Sequence, residues 1–329
     1  MDAGIIYANA RIKALENNLL TSDKLMRMID AQNMDEAVKV LTESNYGGGV
    51  VPDNSNKFEA LLQSESDKVA ALIREIMPIG EGLEIFFLKS DYHNAKALMK
   101  GKYSGISSDS HMLLKHGYID LEKLKDAIMT DNYRDLYPEM REALLKIDNA
   151  FVSGQRNPSF IDSSLDKAYY LHAERVTVKG APSIKRYLKI EADLTNISIF
   201  FRMRRAGLNV KFFTESFIAG GELALEFFLP LYEGGDEVVR EKFRYLSYRS
   251  LVEKAVEAGR ALTNYETAQD NMLLNIFKSD KNDMFSVAPM AGYYLAKQTE
   301  IKVARMVLVC LKNKVDKLLI KQRLRELYA

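Results

Sequence analysis

Apolar side chains recur at helical spacing along nearly the whole chain, which leaves little room for any other regular structure. Over 5–42 the positions Ile5, Ile12, Leu15, Leu19, Leu25, Met28, Ile29, Val38 and Leu41 keep that spacing. Thr21-Ser22-Asp23 and Asn33-Met34-Asp35-Glu36 interrupt it with oxygen acceptors that suit the free amides of a helix start. Tyr46-Gly47-Gly48-Gly49-Val50-Val51-Pro52 then reads as a loop. The pattern predicts further helices over 56–76, 81–101, 139–153, 161–178, 183–205, 238–277 in two or more pieces, 287–311 and 313–327. Strand-like alternation is scarce, and Val176-Thr177-Val178 is its nearest approach. Pro52, Pro78, Pro138, Pro158, Pro182, Pro230 and Pro289 fall at or near the expected boundaries, where a missing amide does least harm. Tyr137-Pro138, Asn157-Pro158, Ala181-Pro182 and Leu229-Pro230 therefore mark breaks. The expected class is all-α.

Laying the helices over one another brings out a repeat. Asp91-Tyr-His-Asn94-Ala-Lys-Ala-Leu98, followed by Lys102 and Gly105, matches Asp193-Leu-Thr-Asn196-Ile-Ser-Ile-Phe200, followed by Arg204 and Gly207, at an offset of 102 residues. A more degraded copy, Glu300-Ile-Lys-Val303-Ala-Arg-Met-Val307 with Leu311 and Lys314, comes after another 107. Gly117 and Gly220 open comparable elements, His116-Gly117-Tyr118-Ile119 and Ala219-Gly220-Gly221-Glu222. The repeat divides the chain into three related helical units, near 1–130, 131–235 and 236–329. Within each copy the acidic residue and the residue three places on share one helical face. They form either part of a polar site or an acceptor and amide tying neighbouring helices, and repetition favours the tie. Val303 replaces the asparagine in the third copy, so that tie is absent there.

At about 150 residues per domain, 329 residues make two or three domains. Apolar residues at 47% and charged residues at 28% argue against disorder. A net charge of +1 argues against a protein that coats nucleic acid. A single cysteine, Cys310, excludes an intramolecular disulfide and any cysteine-rich zinc module, and its apolar neighbours point to a packed thiol. No apolar run approaches the roughly 20 residues needed to span a bilayer. The N-terminus, Met1-Asp2-Ala3-Gly4, soon meets charged residues, unlike a secretory signal, so a cytoplasmic location is expected.

Signatures of chemistry are missing where they would be sought. No G-x-x-x-x-G-K-S/T loop and no post-strand G-x-G-x-x-G occurs, and Gly47-Gly48-Gly49 lacks a following lysine-serine helix start. His93, His111, His116 and His172 include no H-E-x-x-H, and the spacing of His111 and His116 aligns them poorly as ligands on a helix. Asp280 and Asp283 have the spacing of a magnesium box without a second acidic cluster, and the intervening Lys281-Asn282 reads as a polar turn. No glycine-elbow serine is present. No catalytic, cofactor-binding or metal-ligating residue is therefore expected.

Charge, although balanced overall, is laid out in blocks. Residues 179–211 carry eight basic side chains against two acidic ones, 212–237 carry six acidic and no basic, and 302–329 again carry eight basic against two acidic. Solvated helix faces explain part of this. Docking against charged partners, where such segregation aids encounter and register, explains it equally well. On charge alone, Lys185, Arg186, Arg202, Arg204, Arg205, Lys314, Lys321, Arg323 and Arg325 are the candidate partner-binding residues.

Particular stretches resemble a known family. They are Tyr7-Ala-Asn-Ala-Arg11-Ile12-Lys13-Ala-Leu15, Ala37-Val-Lys-Val-Leu41-Thr-Glu43-Ser-Asn-Tyr46-Gly47 and Leu88-Lys-Ser-Asp91-Tyr-His-Asn94. Tyr187-Leu-Lys-Ile-Glu191-Ala-Asp193-Leu-Thr-Asn196-Ile197, Gly292-Tyr-Tyr-Leu-Ala-Lys297-Gln-Thr-Glu300-Ile301 and Gln322-Arg323-Leu-Arg325-Glu326-Leu327 continue the series. Together they resemble the C subunits of bacterial and archaeal V-type or A-type ATPases, relatives of the d subunit of the eukaryotic V-ATPase. The resemblance implies three similar helical units with pseudo-threefold symmetry in a funnel-like body, with no catalytic site and no cofactor. It implies a rotor subunit, peripheral on the cytoplasmic side of the membrane. Its partners would be the D- and F-type central-stalk subunits and the proteolipid ring that moves H⁺ or Na⁺. Such proteins commonly have Glu-Ile-x-Asn in the third unit, where this chain has Glu300-Ile301-Lys302-Val303. Two other readings stand beside it: a helical-repeat adaptor of another soluble complex, and a helical enzyme using Asp280 and Asp283 for magnesium.

Overall fold

A computed structural model describes residues 3–49, 57–105, 113–154, 157–258 and 262–328. Val50-Val51-Pro52 of the expected loop and His111 lie outside them. The first helices are α1 (Ala3–Glu16), α2 (Ser22–Asp30), α3 (Met34–Glu43) and α4 (Phe58–Ile76). Next come α5 (Ile85–Ser104), α6 (Leu121–Met129), α7 (Pro138–Val152), α8 (Pro158–Thr177) and α9 (Pro182–Arg205). Shorter elements succeed them: α10 (Val210–Ser216), α11 (Leu225–Tyr232), α12 (Asp236–Phe243) and α13 (Arg249–Glu257). The last three helices are α14 (Thr263–Lys278), α15 (Ala288–Lys312) and α16 (Lys317–Lys321). No strand occurs among the described residues, so the fold is all-α.

The chain divides into two compact units, one formed by 1–79 with 257–329 and the other by 80–256. In the first, α15 packs against α1, α2, α3, α4 and α14. Leu25, Met28, Ile29, Val38 and Leu41 from the N-terminal helices share one apolar core with Ile301, Val303, Val307 and Leu308 from α15. Cys310 packs, partly buried, against that core. In the second unit α8 packs against α5, α7 and α9. An aromatic group of Phe200, Phe213, Phe228 and Tyr232 fills the junction of α9, α10 and α11.

Local chemistry sets the helix starts. The Thr21 hydroxyl accepts the Lys24 amide at 3.3 Å, and Asn33 Oδ1 accepts that of Glu36 at 2.9 Å. Pro138, Pro158 and Pro182 each occupy the first turn of a helix, where the lost donor has no partner to miss. Pro230 departs from that rule, because it lies inside α11 instead of breaking the chain. Buried Phe228, Leu231 and Tyr232 hold the last turn of α11 in place despite the missing bond.

Two other expectations change. Val176-Thr177-Val178 finishes α8 rather than forming a strand, and the Thr177 hydroxyl donates to the Ala173 carbonyl at 2.8 Å. Only 317–321 of the expected helix 313–327 is helical. The preceding helix ends at Lys312; two residues on, Lys314 has a φ of +55°, in the left-handed region, and the Val315 amide turns back to the Cys310 carbonyl at 2.9 Å. This arrangement matches a helix C-terminus that normally calls for glycine. Lys314 stands at the repeat position of Gly105 and Gly207, whose φ values are +68° and +66°. Beyond α16 the chain continues as an irregular strap that buries Leu327 and Tyr328.

Candidate functional site

The repeated acidic residues sit at zero or near-zero exposure within long helices, so each carboxylate must be satisfied by the protein itself. On α5, Asp91 accepts the Tyr118 and Ile119 amides at 3.0 Å each and the Tyr137 hydroxyl at 3.4 Å. On α9, Asp193 accepts the Glu222 and Leu223 amides at 3.0 Å each and the Tyr248 hydroxyl at 2.7 Å. The asparagines serve the same purpose one turn on. Asn94 exchanges two bonds with the Leu114 backbone, at 2.7 and 2.8 Å, and Asn196 does so with Ile218 at the same distances. Each pair thus fastens the loop after its helix back onto the helix with about four hydrogen bonds, two of them charge-assisted. Burial pushes the Asp193 carboxyl up, against the pull of the Leu223 amide, the Tyr248 hydroxyl and the Glu222 amide.

Backbone must come very close for this to work. A Cβ on Gly117 would lie 1.8 Å from Asp91 Oδ1, and one on Gly221 would lie 2.1 Å from Asp193 Oδ1. Gly117 therefore pairs with Gly221; Gly220, the partner expected from sequence, has nothing within 4 Å of its Cβ direction. The adjacent glycines concealed a register shift of one residue.

The third copy is closed by the start of the chain rather than by the residues after it. Glu300 on α15 accepts the Leu20 amide at 2.8 Å and the Tyr46 hydroxyl at 3.2 Å. Tyr46 thus does there what Tyr137 and Tyr248 do in the other copies. Val303 is fully buried in the apolar core where the other copies have an amide. Lys297 lies 3.2 Å from both Glu300 and Glu65, with its ammonium 4.6 Å from the centre of the Tyr46 ring. These ion contacts lack the alignment of hydrogen bonds. Sequence reasoning picks out Glu300 but misses Leu20, Tyr46, Glu65 and Lys297. Finding them requires joining the last repeat to the first residues.

The structure sorts the nine charge-selected residues into two groups. Lys185, Arg186, Arg202, Lys314 and Arg323 are exposed. Arg204 donates to the Gly234 carbonyl with its guanidinium 5.1 Å from the Phe200 ring, and Arg205 donates to the Ala255 carbonyl. Burial pushes the Arg205 guanidinium down. Arg325 pairs with Asp270 at 2.5 Å, and Lys321 pairs with Asp30 at 3.1 Å. Lys102, at the repeat position of Arg204, likewise turns inward, to Asp148 at 3.0 Å. These second-group side chains fasten segments within their own unit.

Among the described residues no three His, Cys, Asp or Glu side chains are grouped so as to hold a metal ion. Asp280 and Asp283 form a turn, in which the Asp283 amide donates to the Asp280 carbonyl at 2.9 Å and Asp283 Oδ1 accepts the Phe285 amide. Buried His172 meets the Tyr92 hydroxyl at 3.3 Å. His116 is buried and His93 exposed. No helix among the described residues is long and apolar enough to cross a membrane.

Long helices fastened by internal polar ties define an all-α repeat protein whose buried charges are used for construction. The ATP synthase (C/AC39) subunit family matches residues 8–323, and the chain belongs to that family. It is a non-catalytic subunit of an ATPase complex, and other subunits of that complex are its partners. Among similar proteins, the C subunit of the V-type sodium ATPase of Enterococcus hirae is 23% identical over 322 residues, covering 97% of this chain and 98% of that protein. The C subunit of the A-type ATP synthase of Methanocaldococcus jannaschii is 26% identical over 335 residues, covering 95% and 83%. That of Pyrococcus furiosus is 22% identical over 334 residues, covering 94% and 87%.

Proposed function

We propose that the chain is the central-rotor subunit that joins the stalk of a V/A-type ATPase to the membrane rotor ring and transmits torque between them. The observation that carries the proposal is the family match over 8–323, nearly the whole chain, with C subunits of such ATPases aligned end to end. In this reading the D- and F-type stalk subunits lie on one side and the proteolipid ring on the other, and the protein is peripheral on the cytoplasmic side. Catalysis belongs to other subunits.

Torque transmission requires elements that pass strain instead of absorbing it, and close-packed helices do so. The ties of Asp91, Asn94, Asp193, Asn196 and Glu300 support the reading because they fix neighbouring segments to long helices through hydrogen bonds to buried side chains. The proposal retains three related units, near 1–130, 131–235 and 236–329, with pseudo-threefold symmetry in a funnel-like body. Lys185, Arg186, Arg202, Lys314 and Arg323 are the cations best placed to meet partners, because they are exposed. Arg204, Arg205, Lys321 and Arg325, engaged within the chain, come second.

Removal of the subunit from the native complex tests the role. Hydrolysis by the soluble head is expected to continue while ATP-driven ion uptake into sealed vesicles is lost, and re-addition of the purified chain restores it. Ion uptake that survives complete removal would overturn the role.

A further inference from the structure

The third tie differs from the other two in its charge. Glu65, Lys297 and Glu300 are each at most 3% exposed, and Tyr46 is fully buried above them. Two carboxyl groups and one amine are thus enclosed together, one acid more than base, and an uncompensated buried charge is costly. The other groups facing the site do little to balance it. On α4, Lys68 donates to Glu65 at 3.5 Å, but its side chain is 51% exposed and water screens its charge. Tyr293 on α15 and Glu16 on α1 add no positive charge, and Ser66 with Gln298, 3.4 Å apart, is neutral. The Leu20 amide and the Tyr46 hydroxyl donate to Glu300 but bring no full charge.

We propose that the Glu65–Lys297–Glu300–Tyr46 cluster is a proton-binding site, in which one proton taken from water by Glu300 neutralises the cluster and strengthens the attachment of the N-terminal segment to α15. Burial pushes the Glu300 carboxyl up to about 7, against the pull of Lys297, the Leu20 amide and the Tyr46 hydroxyl. Any opening that frees Leu20 and Tyr46 from α15 returns Glu300 to water, where its affinity for the proton falls to the ordinary carboxylate range near about 4.3. The folded site therefore holds more proton than the opened one between those two values. The stability contributed is present in full at the acid end of that window and is lost as pH rises through about 7. This inference concerns the first compact unit and does not depend on the chain's place in a motor.

His172, in the other unit, has the opposite sign, because burial pushes its imidazole down. The test is therefore the difference between wild type and Glu300→Gln at each pH. The melting temperature of wild type minus that of E300Q is expected to grow by about 4–8 °C between about pH 8 and about pH 5.5. Hydrogen exchange of wild type supplies a readout that needs no variant. Corrected for intrinsic rate, protection of the Leu20 peptide is expected to rise about thirtyfold relative to the Tyr118 peptide over the same interval. A melting difference that stays constant with pH, or a constant ratio of Leu20 to Tyr118 protection, would overturn the proposal. Should E300Q not fold, the exchange ratio alone decides.

Discussion

At Gly117 and Gly221 the helix carboxylate comes so near the loop backbone that a methyl group has no place to go. Gly117→Ala and Gly221→Ala are therefore expected to push the loop off its Asp and leave a buried carboxyl without two of its donors, a loss of about 2–4 kcal/mol each. Gly220→Ala, in open space with a φ of +95°, meets only backbone strain and is expected to cost about 1 kcal/mol. Urea denaturation of the three variants separates close approach from strain, and equal losses at positions 220 and 221 would contradict the tie. The acidic and amide residues of each tie are legible in sequence because they share one helix and one spacing. Their donors are not. Tyr137 and Tyr248 lie just before α7 and α13, at unequal distances along the chain from their carboxylates, and backbone amides leave no trace in a sequence. Glu65 and Lys297 are brought together only by the packing of α4 on α15.

Helix starts are more legible than helix ends, since caps and prolines act within a few residues while endings depend on what packs beyond them. The last helix shows this. Residues 313–327 keep an apolar spacing that fits a helix, yet Leu318 and Leu319 are exposed, and only Ile320 and Leu327 are buried, with Tyr328 just beyond. Lys314 carries the left-handed conformation that Gly105 and Gly207 adopt without strain. Lys314→Gly is accordingly expected to stabilise the chain by about 0.5–1 kcal/mol, read as a higher denaturation midpoint. The strap itself is anchored by Leu327 and Tyr328, and the Tyr328 hydroxyl would meet a Cβ on Gly292 at 2.6 Å. Truncation after Glu326 is expected to cost about 3–5 kcal/mol and to increase hydrogen exchange in α14 and α15. An unchanged melting temperature would show that the strap is not part of the core.

For the whole molecule, the nine basic residues chosen from charge blocks illustrate what composition can and cannot locate. A block reports where cations are dense, but whether each faces water depends on carbonyls and carboxylates supplied by other elements, as with Arg204, Arg205 and Arg325. Reversal of the exposed set, Lys185→Glu with Arg186→Glu or Lys314→Glu with Arg323→Glu, is expected to leave the melting temperature within about 1–2 °C. At least one pair is expected to weaken assembly, with a defect that lessens as added salt screens the new repulsion. Co-purification with the other ATPase subunits at two ionic strengths checks this, and full assembly of both variants would remove these cations from the interfaces.

The central claim is tested most directly by the intact mass of complexes pulled from gently solubilised membranes through a tag on this chain. The account predicts one copy per motor, recovered with the stalk subunits and the ring. Recovery of the tagged chain free of rotor components, from membranes in which the ATPase itself remained assembled, would contradict it.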